Sequence, residues 1–373
     1  MMLPTLTALV ALGSMVTAAP APAPSVSHKL LIGGPAQIFT YDYAGAFQKT
    51  SNYTASGAAF SWMRYKASTN TLYATDENAA SINEFTLDAQ SKSNIAFRSL
   101  ANGSQGVVYL EFNQDQTRMF GASYGGGTVD TWDTSDSLKL IKSVNITTGS
   151  IGPSPQQKQH RAHQAILDPT GRYVIVPDLG ADQFVVMDIK DDSYKVTNNV
   201  TLSPGYGPRH GSFVGAEGST FFIVVCELSN MAVLYEAELN SRLRPTNAST
   251  AAAGAIFVAA NNKDVYISNR LTGDDQDNIA HFVFDGKAKT LTHAESTRSG
   301  GILPRSISLS TDKEQSLLFV ANQGGELGLA VFGRCAKSGL LTPKPVASID
   351  MKDLIPAGTK PEEKLGPQFI AAI

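Results

Sequence analysis

Two histidines and three aspartates crowd the segment from His160 to Asp182, HRAHQAILDPTGRYVIVPDLGAD. Downstream come Arg209-His210 in GPRHG, Glu227 in CEL, Arg270 in SNR and Arg305 in LPRS. Imidazole and carboxylate groups can pass a proton to or from a reacting atom. Guanidinium forks can clamp a carboxylate or phosphate through paired hydrogen bonds. A metal centre is the third chemistry such residues could do, but no His/Cys/Asp cluster here has zinc spacing. Asp178 and Asp182 flank a glycine turn, where a short carboxylate is suited to bonding the backbone. No Gly-rich loop opens a helix and no Gly-x-Ser-x-Gly elbow occurs, so neither a cofactor nor a metal is expected. His160 sits in a Gln/Lys-rich loop and reads as a solvated residue, and Trp62 reads as core.

The elements that must position these groups are strands. Helical periodicity is nearly absent, and short β-rich runs alternate with Gly, Asn, Asp, Ser and Pro clusters. Seven such runs share one grammar: Leu30–Ile32, Leu72–Ala74, Met119–Gly121, Tyr173–Ile175, Phe221–Ile223, Val265–Ile267 and Leu318–Val320. Their middle residues fall at 31, 73, 120, 174, 222, 266 and 319, so successive gaps run from 42 to 54 residues. That period suits one four-stranded propeller blade per repeat. The expected fold is therefore all-β, a seven-bladed β-propeller of four-stranded antiparallel blades. Phe369–Ile373 and Leu30–Ile32 are suited to closing the ring by pairing the two ends of the chain.

A ring puts equivalent positions of successive blades at one height around the axis. The start of the inner strand supplies His163, Arg209, His210 and, more loosely, Arg305. The end of the next strand supplies Glu77, Tyr124, Glu227, Arg270 and Gln323, large residues that change character from blade to blade. Together they predict a rim that binds a small anionic molecule. The plainer possibilities are an Arg209–Glu227 structural ion pair and a His210 that is simply satisfied within its strand.

Composition narrows the partners. The 373-residue chain is 42% hydrophobic and 17% charged, with a formal net charge of -3, so it offers no basic footprint for nucleic acid and no polybasic membrane anchor. Leu3–Ala19 is apolar and ends in small residues, which predicts a signal peptide over 1–18 and export from the cell. An Ala/Pro spacer over 19–25 would follow, then one propeller domain over 26–373, with no membrane association after cleavage. Export gives weight to five glycosylation sequons, at Asn52, Asn102, Asn145, Asn199 and Asn247. The two cysteines, Cys226 and Cys335, read as buried free thiols rather than one bridge. Oligomeric state is left open.

With HRAHQAILDPTGRYVIVPDLGAD, GPRHG, CEL, SNR, LPRSISLS and LLFVANQ in view, the chain resembles the seven-bladed propeller lactonase family. That family holds bacterial 6-phosphogluconolactonases and the fungal 3-carboxy-cis,cis-muconate lactonising enzyme. The resemblance implies a catalytic set of one His, two Arg and one Glu, falling here on His163, Arg209, Arg270 and Glu227. Where the family often shows His-x-His, this chain has Arg161-Ala162-His163. The expectation is a secreted, metal-independent cycloisomerase resembling the carboxymuconate cyclase. In it Arg209 and Arg270 hold substrate carboxylates, while His163 and Glu227 handle the proton. Hydrolysis of a sugar lactone is the alternative within the same chemistry. A non-catalytic binding propeller is the alternative outside it.

Overall fold

A computed structural model describes residues 26–373 apart from 89, 217–218, 237–238, 243–250 and 357. The expected leader and spacer, and Asn247, lie outside the described residues. Seven antiparallel sheets follow one another around an axis. Six have four strands in the order inner to outer that the chain makes them. The fourth blade, for example, runs Ile166–Leu167, Tyr173–Asp178, Gln183–Asp188 and Lys195–Thr201.

The turns inside a blade explain why these segments reverse where they do. In Asp168-Pro169-Thr170-Gly171 the Asp168 carboxylate accepts hydrogen bonds from the backbone N–H groups of Thr170, Arg172 and Tyr173. Gly171 then takes a φ of 76°, a conformation that costs glycine little. The fourth blade's inner strand is shorter than its sequence suggests. Gln164 leaves the ladder because its side chain bonds both the N–H and the carbonyl of Gly211 in the next blade.

The ring closes by the pairing foreseen, with Leu30 opposite Ala372, Leu31 opposite Ala371 and Ile32 opposite Ile370. This closing blade departs from four strands. One long strand, His28–Tyr43, pairs with Phe47–Ala59 on one side and Phe369–Ala372 on the other, giving three. Apolar clusters also fill the space between blades. Leu30, Ile32, Phe319, Val331 and Ile370 form one such cluster where the last blade meets the first. Each fully buried side chain of this kind contributes roughly 1.5–3 kcal/mol relative to exposure. Closure therefore rests on side-chain packing as well as on the short terminal ladder.

Two further expectations need correction. Cys226 is buried and free, but Cys335 is exposed, in a turn stapled by its own backbone bonds to Gly339 and Leu340. Trp62 packs against core residues, yet one side of it lines the axial cavity. No helix among the described residues is long and apolar enough to cross a membrane.

Candidate functional site

Inner strands start at one end of the axis and the neighbouring strands finish there, so the two rims read from the sequence meet. At their junction Glu227 lies between two guanidiniums. Its Oε2 is 2.8 Å from Arg209 Nε and 2.8 Å from Arg270 Nη2. The carbonyls of Gly254 and Ala253 accept from Arg209 Nη1 at 3.0 Å and from Arg270 Nη2 at 3.2 Å. Glycine at 254 is required by that approach, since a Cβ would stand 2.5 Å from Ser268 Oγ and 3.1 Å from Arg270 Nε. Arg305 pairs with Glu77 across the gap between the last and second blades.

The histidines stack on one another below this cluster. His163 and His210 rings lie 5.1 Å apart, edge to face, and Tyr124 meets His163 at 5.5 Å. His210 also meets Trp62 and Tyr109, at 5.4 and 5.6 Å. It therefore stands between the cluster and an axial cavity of about 270 Å³ beneath it.

Charge states follow from these surroundings. Burial lowers the pKa of both His163 and His210 well below 6.5, and the Arg209 charge lowers each further. Both imidazoles are neutral at physiological pH. Burial alone would raise the Glu227 carboxyl, but Arg270 and Arg209 outweigh it and hold the pKa below the usual carboxylate range. Burial, then the neighbouring Arg270, pushes Arg209 down to about 9, which still leaves it charged near neutrality. Burial raises the Tyr124 phenol, so it keeps its proton. Several polar atoms have no hydrogen-bond partner among the described residues: His163 Nδ1 and the Nε atoms of Arg161 and Arg270. A cluster of guanidiniums with unmet donors suits oxygen anions.

Of the nine rim residues, His163, Arg209, Glu227, Arg270, Tyr124, His210, Arg305 and Glu77 come together. Gln323 is tied in only through its backbone carbonyl, which accepts from Gly366 N–H. The ion pair offered as the plain reading of Arg209 and Glu227 exists, and Arg270 shares it.

His160 is not solvated as expected. It is buried at 8% exposure, and its Nδ1 lies 2.6 Å from Asp178 Oδ2. Asp178 Oδ1 accepts from the N–H of Arg161 at 2.7 Å and of Gly180 at 3.1 Å. This clasp fixes the loop that carries Arg161 and His163. Asp182 does the same for the next blade, accepting from the N–H groups of Gly205 at 2.7 Å and Gly207 at 2.6 Å, just ahead of Arg209. The bonding of both aspartates to backbone agrees with the sequence reading. Among the described residues no group of three or more His, Cys, Asp or Glu side chains could hold a metal ion.

Sequence reasoning overlooked Arg161 as a rim residue. Its guanidinium lies over the Tyr124 ring, 4.4 Å from the centroid. The available signal was its place two residues before His163, just ahead of the height where His163, Arg209 and Arg305 stand.

Residues 29–352 match the family described as "Lactonase, 7-bladed beta-propeller". A Staphylococcus saprophyticus protein of uncharacterised function is 28% identical over 273 residues, 70% of this chain and 75% of its own. An Arthroderma benhamiae protein named "Probable 6-phosphogluconolactonase" is 26% identical over 328 residues, 83% of this chain and 82% of its own. Among solved structures, the periplasmic gluconolactonase of Pseudomonas aeruginosa superposes with a TM-score of 0.76 at 21% identity, over 93% of this chain and 99% of that one. At that identity the likeness concerns the fold.

Proposed function

The chain belongs to the seven-bladed β-propeller lactonase family, and on that premise we propose that it hydrolyses a small anionic sugar lactone, an activity of the 6-phosphogluconolactonase type. The observation that carries the reading is Glu227 bridged by Arg209 and Arg270 beside a neutral, buried His163. The comparisons support this alternative over the carboxymuconate cyclisation expected first, because the matching family is described as a lactonase and one relative is named a probable 6-phosphogluconolactonase.

In the proposed reaction water adds to the lactone carbonyl carbon, the ring C–O bond breaks, and a hydroxy acid leaves. Arg209 and Arg270 face the carbonyl oxygen as it becomes an oxyanion, with donors already in place. His163 takes the proton from the attacking water and returns it to the ring oxygen, which its neutral state at physiological pH allows. Glu227 is a weak base between two cations, so its part is to hold both guanidiniums at one height.

Export is part of the proposal. Asn52, Asn102, Asn145 and Asn199 are exposed, on the outermost strands of the first four blades.

The test is turnover by the purified chain of δ-gluconolactone, its 6-phosphate and 3-carboxymuconate, against the uncatalysed rate and the Arg209→Ala variant. Lactone opening above both controls supports the reading. Consumption of the carboxymuconate alone returns the cyclase, and no turnover above Arg209→Ala leaves a binding propeller.

A further inference from the structure

Four guanidiniums and two carboxylates converge on the rim: Arg161, Arg209, Arg270 and Arg305 against Glu77 and Glu227. Both carboxylates are engaged, Glu77 with Arg305 and Glu227 with Arg209 and Arg270. Arg161 has no acidic partner among the described residues, and its Nε is buried without a hydrogen bond. A buried guanidinium edge with unmet donors is costly unless something else satisfies it.

Its setting is built rather than loose. The Arg161 backbone is pinned from both sides, its N–H donating to Asp178 Oδ1 at 2.7 Å and its carbonyl accepting from Leu179 N–H at 3.0 Å. The guanidinium rests on the Tyr124 ring, and that ring touches His163. Arg161 thus stands beside the reacting end of the site but one aromatic ring removed from it. His163 is 6% exposed and its Nδ1 is unpartnered.

We propose that Arg161 is a specificity-determining residue that holds an acidic substituent, phosphate or carboxylate, carried by the substrate away from its lactone ring. This rests on the lactonase reading above. A phosphate monoester brings close to two negative charges at neutral pH, which matches the excess of two guanidiniums over carboxylates on the rim. Arg presents paired N–H groups to such an anion, and a charge-assisted contact of this kind corresponds to roughly a 10- to 100-fold preference.

The experiment measures binding as well as turnover, so that it survives failure of the catalytic reading. Calorimetric affinities of 6-phosphogluconate, glucarate and gluconate are compared in the wild-type chain, Arg161→Gln and Arg161→Lys. The expected result is a preference of tenfold or more for an acid bearing a second anionic group. It should be lost in Arg161→Gln and partly restored in Arg161→Lys. Whether 6-phosphogluconate or glucarate gains more distinguishes phosphate from carboxylate. No preference in the wild type, or a preference that persists in Arg161→Gln, overturns the proposal. For turnover, kcat/KM on the phosphorylated lactone should fall at least tenfold more than on the neutral lactone, and equal losses would count against it. If no lactone is opened by the wild type, the lactonase reading fails while the affinities still decide the role of Arg161.

Discussion

The axial channel has an arginine–glutamate pair near each end, and the two pairs are built to opposite specifications. Below His210, Arg64 spends its donors inside the protein. Its Nε reaches the Leu110 carbonyl at 2.9 Å, and its Nη2 reaches Tyr109 Oη at 3.3 Å and Glu111 Oε2 at 2.5 Å. Above His210, Arg209 Nε and Arg270 Nη2 share one carboxylate oxygen, and Arg270 keeps its Nε without a hydrogen bond. Trp62 shows the same economy at the lower end, donating to Leu110. Satisfied polar groups hold inner strands together, whereas unmet ones keep a place for a ligand. Residue types alone do not separate the two ends; the accounting of donors does.

The sharpest way to break this comparison is to remove one arginine from each end. Arg209→Ala should lower kcat/KM on the preferred lactone by about 10²–10³ through loss of oxyanion stabilisation. It should also cost about 2–4 kcal/mol of stability, the lower end reflecting a Glu227 that keeps 25% of its side chain exposed. Arg64→Ala should leave kcat/KM within about twofold and destabilise by roughly 1 kcal/mol, because that pair is partly exposed at 32% and 21%. Steady-state kinetics and urea melts of both variants check this. Similar kinetic losses from the two would erase the distinction.

Next in size is His163→Gln, expected to reduce kcat by about 10² or more with a smaller change in KM. Its pH signature is more specific. The imidazole is held neutral by burial and by Arg209, so the acid limb of kcat/KM should lie well below pH 6.5 and move upward in Arg209→Gln. An unmoved limb would remove His163 as the base. Stability carries the same sign. The unfolded chain takes up protons on His163 and His210 below its pKa of 6.5, while the folded one resists them until far lower pH. Stability is complete above that pH and falls as the solution is acidified through it.

Asp178→Asn tests whether the upper end is positioned from outside. Leaving His160 Nδ1 and the Arg161 N–H with weaker acceptors should cost about 1–3 kcal/mol and lower kcat roughly tenfold by loosening the loop that holds His163. The smallest effect expected is at the thiols. Cys335 should react with a thiol reagent in the native protein and Cys226 only on unfolding, since burial raises its pKa and hides it.

Much of this architecture was legible in the sequence. The seven β-rich runs became the second strands of six blades and part of the long strand of the closing one. The chain ends pair as foreseen, because an apolar run at each terminus has nowhere else to bury. Eight of the rim residues read by register meet at one end of the channel. A Gln/Lys-rich neighbourhood suggests solvent for His160, whereas it pairs with Asp178, which ends the blade's second strand and is itself fully enclosed. Cys335 was misread because a β-rich run gave way to a turn held by backbone bonds that leave no trace in residue types.

Period and turn chemistry determined the blades, since alternation and Asp/Gly turns act over a few residues and need no distant partner. The height of each functional residue followed from the same period. Only the tertiary structure decided which charges pair. Glu77 and Arg305 meet though separated by 228 positions, and Glu227 serves two guanidiniums while Arg161 is left with none. The physical reason is that an ion pair depends on distances of a few ångströms and on burial, and both are set by how the ring closes.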